Sequence, residues 1–286
     1  MSQGENVDSG LLHAAQAGDR EAIGDLVAPH LDRLRALAYR ILANRDDAED
    51  AVQEALTRAL DKIAGFRGEA GFATWLYRIT VNVCRDVLRR RERWRWDAQV
   101  HASRACGASE HHQRELFTTL EDPEFRFDAA EHIAFCFSCV GRSLAPGPQL
   151  AVLLREVFEL SNREAAEVLE VSESVLRHDL AAGRAAMQEA FDGLCALIAK
   201  DGVCHQCAGL RNRTPAARRG PEPTIEMVIE AAANDAESKL KRRARITAGA
   251  DLENGVSRNL HDLLFHKIGR WETDHRLAHA GSNQGS

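Results

Sequence analysis

The chain has 286 residues, a formal net charge of −6 and an aromatic content of 6%. This length suits two domains with extensions, and the abundance of Ala, Leu, Arg and Glu favours helices. Apolar runs stay below the ~18 residues of a membrane span and the N-terminus has no signal-peptide core, so we expect a cytoplasmic protein without membrane contact. A negative net charge also argues against indiscriminate DNA binding, which needs clustered cations.

Helical signals begin near residue 19. Asp19 can cap a first helix, which Pro29 interrupts before Leu31–Leu42 resumes it. Asp46 and Glu49 fit a capping box for the next helix. Apolar residues of that helix recur at helical spacing and predict one buried stripe: Ala48, Val52, Ala55, Leu56, Ala59 and Ile63. Glycines predict a loop at 65–71, and a further helix is predicted from Phe72 to about Arg93.

Charge is segregated between these two helices. The charged residues of 46–61 are all acids except Arg58, whereas residues 72–96 are rich in Arg. The acidic helix leaves Asp47, Asp50, Gln53 and Glu54 outside its apolar stripe. From charge pattern alone these side chains would form an ordinary solvated face.

The second half of the chain contains a helix-turn-helix pattern. Residues 97–128 lose periodicity and are interpreted as a flexible linker, and a second helical domain is predicted at 129–210. Within it, Ser161 and Glu164 form a capping box, Ser172 caps the next helix, and Leu176 and Leu180 pack inward one turn apart. A Pro- and Arg-rich linker and a helical tail, with amphipathic stretches at 225–232 and 260–271, occupy 211–286.

Several sequence runs together resemble the extracytoplasmic-function (ECF) sigma factors of bacterial RNA polymerase. The runs are AGDREAIGDLV, DDAEDAVQEALTRAL, FRGEAGFATWLYRITVNVCRDVLRRR and LLREVFELSNREAAEVLEVSE. The resemblance implies that residues 8–96 are sigma region 2 and that the helix-turn-helix is region 4. It also implies that the acidic helix docks on core RNA polymerase, with Asp47, Asp50, Gln53 and Glu54 as contacts.

The same resemblance assigns residues to promoter DNA. The loop 64–71 would hold a flipped base of the −10 element, and the next helix would face the melted strand, because aromatic and Arg side chains stack on unpaired bases. The DNA-binding residues implied for region 2 are Phe66, Arg67, Phe72, Arg78, Asn82, Arg85 and Arg89. Region 4 would meet the −35 element in the major groove through Arg177, His178 and Arg184.

Region 4 departs from the family pattern at three positions. Glu170 stands where the turn usually has Gly, and Asp179 and Ala182 stand where the family prefers basic residues. Glu173 adds an acid beside Arg177. We therefore expect the helix-turn-helix to form but its affinity for the −35 element to be weak.

Two C-x2-C pairs, Cys136/Cys139 and Cys204/Cys207, bracket the second domain. Paired thiolates at this spacing can complete a tetrahedral Zn²⁺ site, so these four cysteines are the predicted metal ligands. The run His132-x3-Cys136-x2-Cys139 also resembles the zinc motif of anti-sigma factors, which implies His132 as a further ligand or as a partner of a ligand. The alternatives are small buried core residues or disulfide exchange. Ordinary ECF factors lack this set, so it would mark a variant of the family.

The sequence predicts an all-α protein with two helical domains, a linker and a helical tail, acting as a transcription initiation factor. We expect it not to be an enzyme, since phosphate-loop, metalloprotease and hydrolase motifs are missing. The alternatives are a thiol–disulfide oxidoreductase, or a helix-turn-helix regulator that acts without polymerase. The sequence leaves open the promoter, the inducing signal and whether an anti-sigma factor binds.

Overall fold

The computed structural model describes residues 9–91, 93–196, 213–219 and 239–282. The described residues are helical throughout, apart from loops and one isolated bridge between Phe127 and Arg219, which confirms the predicted all-α class. Among the described residues, no helix combines the length and apolarity needed to cross a membrane.

The first domain is a bundle of five helices. Asp19 caps the second of them and accepts hydrogen bonds from the amides of Glu21 and Ala22, as predicted. Pro29 lies in a 3-10 turn that separates it from the third helix. The bounds of the helices are α1 Ser9–Gln16, α2 Arg20–Val27, α3 Leu31–Leu42, α4 Arg45–Lys62 and α5 Phe72–Arg90.

The start of α4 differs from the prediction. Asn44, not Asp46, is the N-cap, and its side chain accepts from the amide of Asp47 at 2.9 Å. The left-handed conformation of Ala43 (φ 51°), which ends α3, turns the chain so that Asn44 meets the first free amides of α4. The predicted Asp46–Glu49 capping box is therefore wrong, while the apolar stripe behind it is buried as predicted except for Leu56, which is partly buried.

Residues 97–128 contain two helices, α6 Ala98–Gly107 and α7 Glu110–Glu121. The sequence predicts a flexible linker here because the apolar residues follow no sustained helical period. The structure explains the difference. The two helices pack on each other and on the last helix of the chain, so tertiary packing stabilises what local periodicity does not predict.

The second domain contains the predicted helix-turn-helix. Ser161 and Glu164 form the capping box, and the Ser172 hydroxyl accepts from the amide of Val175 at 3.2 Å. Glu170 ends the first of these helices in the left-handed conformation (φ 56°), which is why glycine suits the position. The bounds are α8 Ala129–Gly141, α9 Pro146–Val152, a π-helical turn Leu153–Val157, α10 Asn162–Leu169 and α11 Glu173–Ala196.

Two helices of the C-terminal tail close the described structure. They are α12 Lys239–Gly249 and α13 Arg258–Ser282, and the second contains the predicted amphipathic stretch, with Leu260 and Ile268 buried. The other predicted stretch, at 225–232, lies outside the described residues. Both tail helices pack against α8, so the tail forms part of the folded core rather than a separate appendage.

Candidate polymerase-docking and DNA-facing surfaces

The acidic face of α4 is open to solvent. Its buried stripe packs against α3 and α5, which leaves Asp50, Gln53 and Glu54 exposed together on the opposite side. Glu54 accepts a hydrogen bond from Arg58 Nε at 2.8 Å, one turn along the helix. We call this surface, Asp50, Gln53 and Glu54, the acidic docking face. A helix surface with exposed carboxylates can be recognised by a basic partner.

Asp47, the fourth residue of the predicted set, has a different environment. Its side chain is 19% exposed, and its carboxylate pairs with Arg91 Nη2 at 2.6 Å. Burial raises the pKa of Asp47, and the charge of Arg91 opposes that shift. Asp47 therefore ties the start of α4 to the end of α5, and it is less available to a partner than the three residues of the acidic docking face.

Leu60 is a surface residue that the sequence analysis misses. It is 48% exposed and lies toward the C-terminal end of α4, beside the acidic docking face. The signal was present in the sequence, because Leu60 falls outside the apolar stripe of this helix. An exposed leucine beside exposed acids adds apolar area to a surface that would otherwise offer charge alone.

The loop before α5 is supported by an aromatic cluster. The ring of Phe66 lies 5.5 Å from that of Phe72 and 5.2 Å from that of Trp75, and Phe72 stacks on Trp75 at 5.5 Å. Phe72 is 2% exposed and has no surface to offer a base in this conformation. Phe66 is partly exposed, and Arg67 is 83% exposed beside it. Of the residues predicted to bind DNA here, Phe66 and Arg67 of the loop are accessible, whereas Phe72, the first residue of α5, packs beneath them.

The polar edge of α5 is half open and half covered. Arg89 is 73% exposed and pairs with Asp86 at 3.0 Å, and Arg78 is partly buried. Asn82 Nδ2 instead donates to Glu170 Oε2 at 2.9 Å, and Arg85 Nη1 donates to the carbonyl of Leu169 at 3.1 Å.

These contacts bring α5 against the C-terminal end of α10, in the other domain. A guanidinium is favourable there, because the last carbonyls of a helix are unpaired and carry partial negative charge. Desolvation in this contact lowers the pKa of Arg85, with the charge of Glu170 opposing the shift. Sequence reasoning places Asn82 and Arg85 on α5 correctly, but it contains no signal that α10 would cover them.

The recognition helix α11 presents few unpaired cations. Arg177 is 59% exposed and pairs with Glu173 at 3.5 Å, and His178 is 83% exposed. Arg184 pairs with Glu156 of the π-helical turn. Each of these three side chains therefore has an acidic partner within the domain, His178 with Asp179 at 3.7 Å, and Arg177 and His178 are more exposed than Arg184, which is 42% exposed.

Asp179 faces the protein rather than solvent. Its side chain is 24% exposed and lies against the first turn of α9, where a Cβ on Gly147 would approach Asp179 Oδ2 to 2.6 Å. A carboxylate at a helix N-terminus interacts favourably with the unpaired amides there. The acid at this position therefore has a structural explanation, and it adds less negative charge to the exposed side of α11 than the sequence suggests.

Two of the four predicted zinc ligands are in the described residues. Cys136 and Cys139 lie on α8, and Gln99 Nε2 of α6 approaches Cys136 Sγ at 3.4 Å. Cys139 is buried, and burial raises the pKa of its thiol. Cys204 and Cys207 lie outside the described residues. Within the part of the chain that the structure describes, no group of three or more His, Cys, Asp or Glu side chains could hold a metal ion.

His132, the further candidate, packs beside another histidine. Its Nδ1 lies 3.3 Å from Nε2 of His261 on α13, and both rings are buried. Burial lowers the pKa of His132 to about 4, so the ring is neutral at physiological pH. In the described residues this ring joins α8 to the tail.

Comparison with known proteins matches both domains. Residues 26–94 match the family model of sigma-70 region 2, and residues 138–187 match that of sigma-70 region 4. The ECF RNA polymerase sigma-E factor of Haemophilus influenzae is 30% identical over 173 residues, which cover 59% of this chain and 87% of that protein. The RNA polymerase sigma-H factor of Pseudomonas aeruginosa is 29% identical over 187 residues, covering 65% and 95%.

Among solved structures, the chain is similar to CnrH in its complex with the cytosolic domain of CnrY. That match has a TM-score of 0.43 and 24% identity, and it covers 66% of this chain and 99% of that one. Both family models end before residue 188, so α12 and α13 lie beyond them. The order of the two regions, and the 30% identity over most of a curated relative, show that this chain belongs to the ECF family of RNA polymerase sigma factors, the transcription initiation factors that direct polymerase to promoters.

Proposed function

We propose that the chain binds core RNA polymerase through the acidic docking face of α4 and Leu60. The observation that carries this assignment is the joint exposure of Asp50, Gln53 and Glu54 on the side of α4 that faces away from the bundle. The face lies within the matched region 2. Binding there leaves α3 and α5 in place behind α4, so docking requires no unfolding of the first domain.

The proposal extends to promoter DNA. Phe66 and Arg67 on the loop before α5 would catch an unpaired base of the −10 element, with Arg78, Asn82, Arg85 and Arg89 along the strand. Arg177 and His178 of α11 would meet the −35 element, with Arg184 behind them. The pairing of Arg177 with Glu173 and of Arg184 with Glu156 supports weak −35 affinity. The polymerase would supply the chemistry, and the chain would act where the polymerase works, in the cytoplasm.

Run-off transcription tests this function. Core polymerase alone and polymerase supplemented with the chain are compared on a library of genomic promoter fragments. We expect transcripts with defined start sites that require the chain. Identical transcripts with and without it would contradict the proposal, and DNA binding by the chain without polymerase-dependent transcripts would instead favour a regulator.

We also infer one structural Zn²⁺ per chain, held by Cys136, Cys139, Cys204 and Cys207. The support is the C-x2-C spacing of both pairs and the position of the first pair on α8, within reach of α6. The ion would fasten the two ends of the second domain, since zinc fixes four thiolates in a tetrahedron. A buried thiol such as Cys139 becomes a thiolate when a metal compensates the charge.

Elemental analysis tests the zinc site on protein purified under reducing conditions without chelators. A stoichiometry near one, lost in the Cys204→Ser, Cys207→Ser double variant, is expected. A stoichiometry near zero, or full retention in the double variant, would contradict the four-cysteine site and favour core cysteines. The redox alternative would require insulin reduction by the purified chain.

A further inference from the structure

The tail is fastened to the first domain by a buried arginine. Arg40 of α3 is 5% exposed, and its Nη2 donates to the carbonyl of Thr247 at 3.1 Å and to that of Ala250 at 2.6 Å. These carbonyls lie at and just beyond the last turn of α12, where helix carbonyls lack intrahelical partners. A guanidinium from α3 therefore caps a helix of the tail, which is a specific attachment rather than incidental contact.

A second attachment centres on Asp262 of α13. Its carboxylate accepts from Arg45 Nε at 2.7 Å and from the hydroxyl of Tyr39. Arg45 Nη2 also donates to the carbonyl of Glu253, in the loop between the tail helices, at 2.7 Å. One acid of the tail thus binds the end of α3 and the start of α4.

The opposite side of the tail is fastened to the second domain. Glu131 of α8 accepts from the amides of Val256 at 2.9 Å and Ser257 at 2.7 Å. A Cβ on Gly255 would lie 2.3 Å from the Glu131 carboxylate, so the loop reaches this acid because that residue is glycine. The segment 239–282 therefore holds both domains at once, and we call it the clasp.

Under the clasp, the two domains meet directly. Gln149 of α9 donates to the carbonyl of Ile41 at 2.9 Å, and the rings of Tyr77 and Phe158 pack edge to face at 6.3 Å. The contact continues to Asn82 and Arg85, which bind the end of α10. Hence the helix-turn-helix contacts the Asn82 and Arg85 part of the polar edge of α5, whereas Arg89 stays exposed and the acidic docking face lies outside the contact.

This arrangement is incompatible with reading two promoter elements. Elements centred at −10 and −35 are about 25 nucleotides apart, or about 85 Å at about 3.4 Å per step. Here Asn82 and the turn of the helix-turn-helix are in hydrogen-bond contact, at 2.9 Å. The two domains must separate before α5 and α11 can occupy their elements together.

We propose that the clasp is an intramolecular inhibitor that holds the helix-turn-helix over the DNA-facing edge of α5 while leaving the acidic docking face free. The inference rests on the proposed DNA-facing role of α5. This inhibition would set the order of binding. The chain could bind polymerase in the closed conformation, and it would bind DNA only after the clasp opens. The apparent affinity for DNA is the intrinsic affinity multiplied by the fraction of chains that are open. Releasing the clasp therefore raises the apparent affinity.

The test uses the full chain with Asp262→Ala, which removes the shared acceptor of Tyr39 and Arg45. Asp274→Ala, an exposed acid on the same helix, is the matched control. The radius of gyration is measured by small-angle X-ray scattering, and affinity for a mixed-sequence single-stranded 20-mer by fluorescence anisotropy at fixed salt. Co-purification with core polymerase is measured in parallel.

We expect Asp262→Ala to expand the chain beyond the compact value of about 19 Å and to bind the 20-mer about tenfold more tightly. Polymerase binding should be unchanged, which a merely destabilised chain would not show. If Asp262→Ala loses helical content, Arg45→Ala at the partly exposed start of α4 replaces it. If the folded variant kept the wild-type radius of gyration and the wild-type affinity for the 20-mer, the proposal that the clasp is an inhibitor would be overturned. Expansion without tighter DNA binding would show that the clasp holds the two domains together but that the edge of α5 which it covers does not bind DNA.

Discussion

Helices α4 and α5 pack against each other in one bundle, yet their outer surfaces differ in how accessible they are to a partner. The acidic docking face of α4 is fully open, whereas Asn82 and Arg85 of α5 are bonded to the other domain. The difference is set by the second domain and the clasp, since both helices have well-buried apolar sides. Neighbouring helices can thus be available to different partners at different times.

The largest effect is expected at the open face. Asp50→Lys with Glu54→Lys should weaken association with core polymerase by at least about 100-fold, because reversed charges meet a surface complementary to acids. Helix content should be unchanged, since neither side chain is buried. Asp25→Lys with Asp274→Lys makes the same change in net charge at other exposed sites and serves as the control. Unchanged co-purification of the first variant would refute the docking assignment.

Arg78→Ala with Arg89→Ala should weaken open-complex formation by the polymerase-bound chain about tenfold. It should also lower the slope of log affinity against log salt by about 0.7 for each lost phosphate contact. Arg20→Ala with Arg270→Ala, at exposed positions away from α5, controls for net charge. An unchanged salt dependence in the first variant would show that this edge does not meet phosphates.

Glu170→Gly probes the covered side with a smaller expected effect. The change removes the acceptor of Asn82, so DNA affinity of the free chain should rise a few-fold. It also relieves a left-handed backbone, which should stabilise the turn by about 1 kcal/mol. The two outcomes are separated by anisotropy and thermal melting. Glu167→Ala on the same helix is the control, and tighter DNA binding in that variant too would point to general loosening.

A fourth effect is expected on stability alone and concerns the pH dependence of the clasp. Burial raises the pKa of Glu253 to about 7, opposed by the charge of Arg45 and assisted by that of Glu49. The folded chain therefore retains this proton up to about pH 7, and stability is lost as pH rises from the unfolded value through the folded one. Glu253→Gln should stabilise the chain by about 1–2 kcal/mol at pH 8 and make little difference at pH 4.

Denaturant unfolding of both chains at each pH measures this difference. Burial lowers the pKa of His132 to about 4, so protonation of this ring destabilises the folded chain as pH falls below the ordinary pKa of histidine. This contribution is the same in both chains and cancels in the comparison. Equal free energies of unfolding at pH 8 would show that the ionised Glu253 carboxylate does not destabilise the folded chain.

The sequence predicts those features that are set by local pattern. Asp19, Ser161 and Ser172 cap the helices that their positions indicate, and the apolar stripe of α4 is buried. Each of these depends on side chains within one or two turns of one another. The shift of the α4 cap to Asn44 shows how a neighbouring left-handed residue can move a boundary that side-chain type alone leaves ambiguous.

Long-range contacts are the part that the sequence does not predict. Helices α6 and α7 depend on packing against α13, more than a hundred residues away in the chain. The covering of Asn82 by Glu170 and the capping of α12 by Arg40 likewise join distant segments, and nothing in local spacing encodes such pairs. The exposure of Asp50, Gln53 and Glu54 therefore follows from helical spacing, whereas the contacts of Asn82 and Arg85 do not.

Hydroxyl-radical footprinting of the full chain, read by mass spectrometry, tests the contrast between the two surfaces most directly. In the free chain, Leu60 should oxidise at a rate near that of an exposed leucine, whereas Tyr77 and Phe158 should be protected against each other. Core polymerase should protect Leu60, and Asp262→Ala should raise the reactivity of Tyr77 and Phe158. The account would be contradicted if polymerase left Leu60 unchanged, or if Tyr77 and Phe158 reacted equally in wild type and Asp262→Ala.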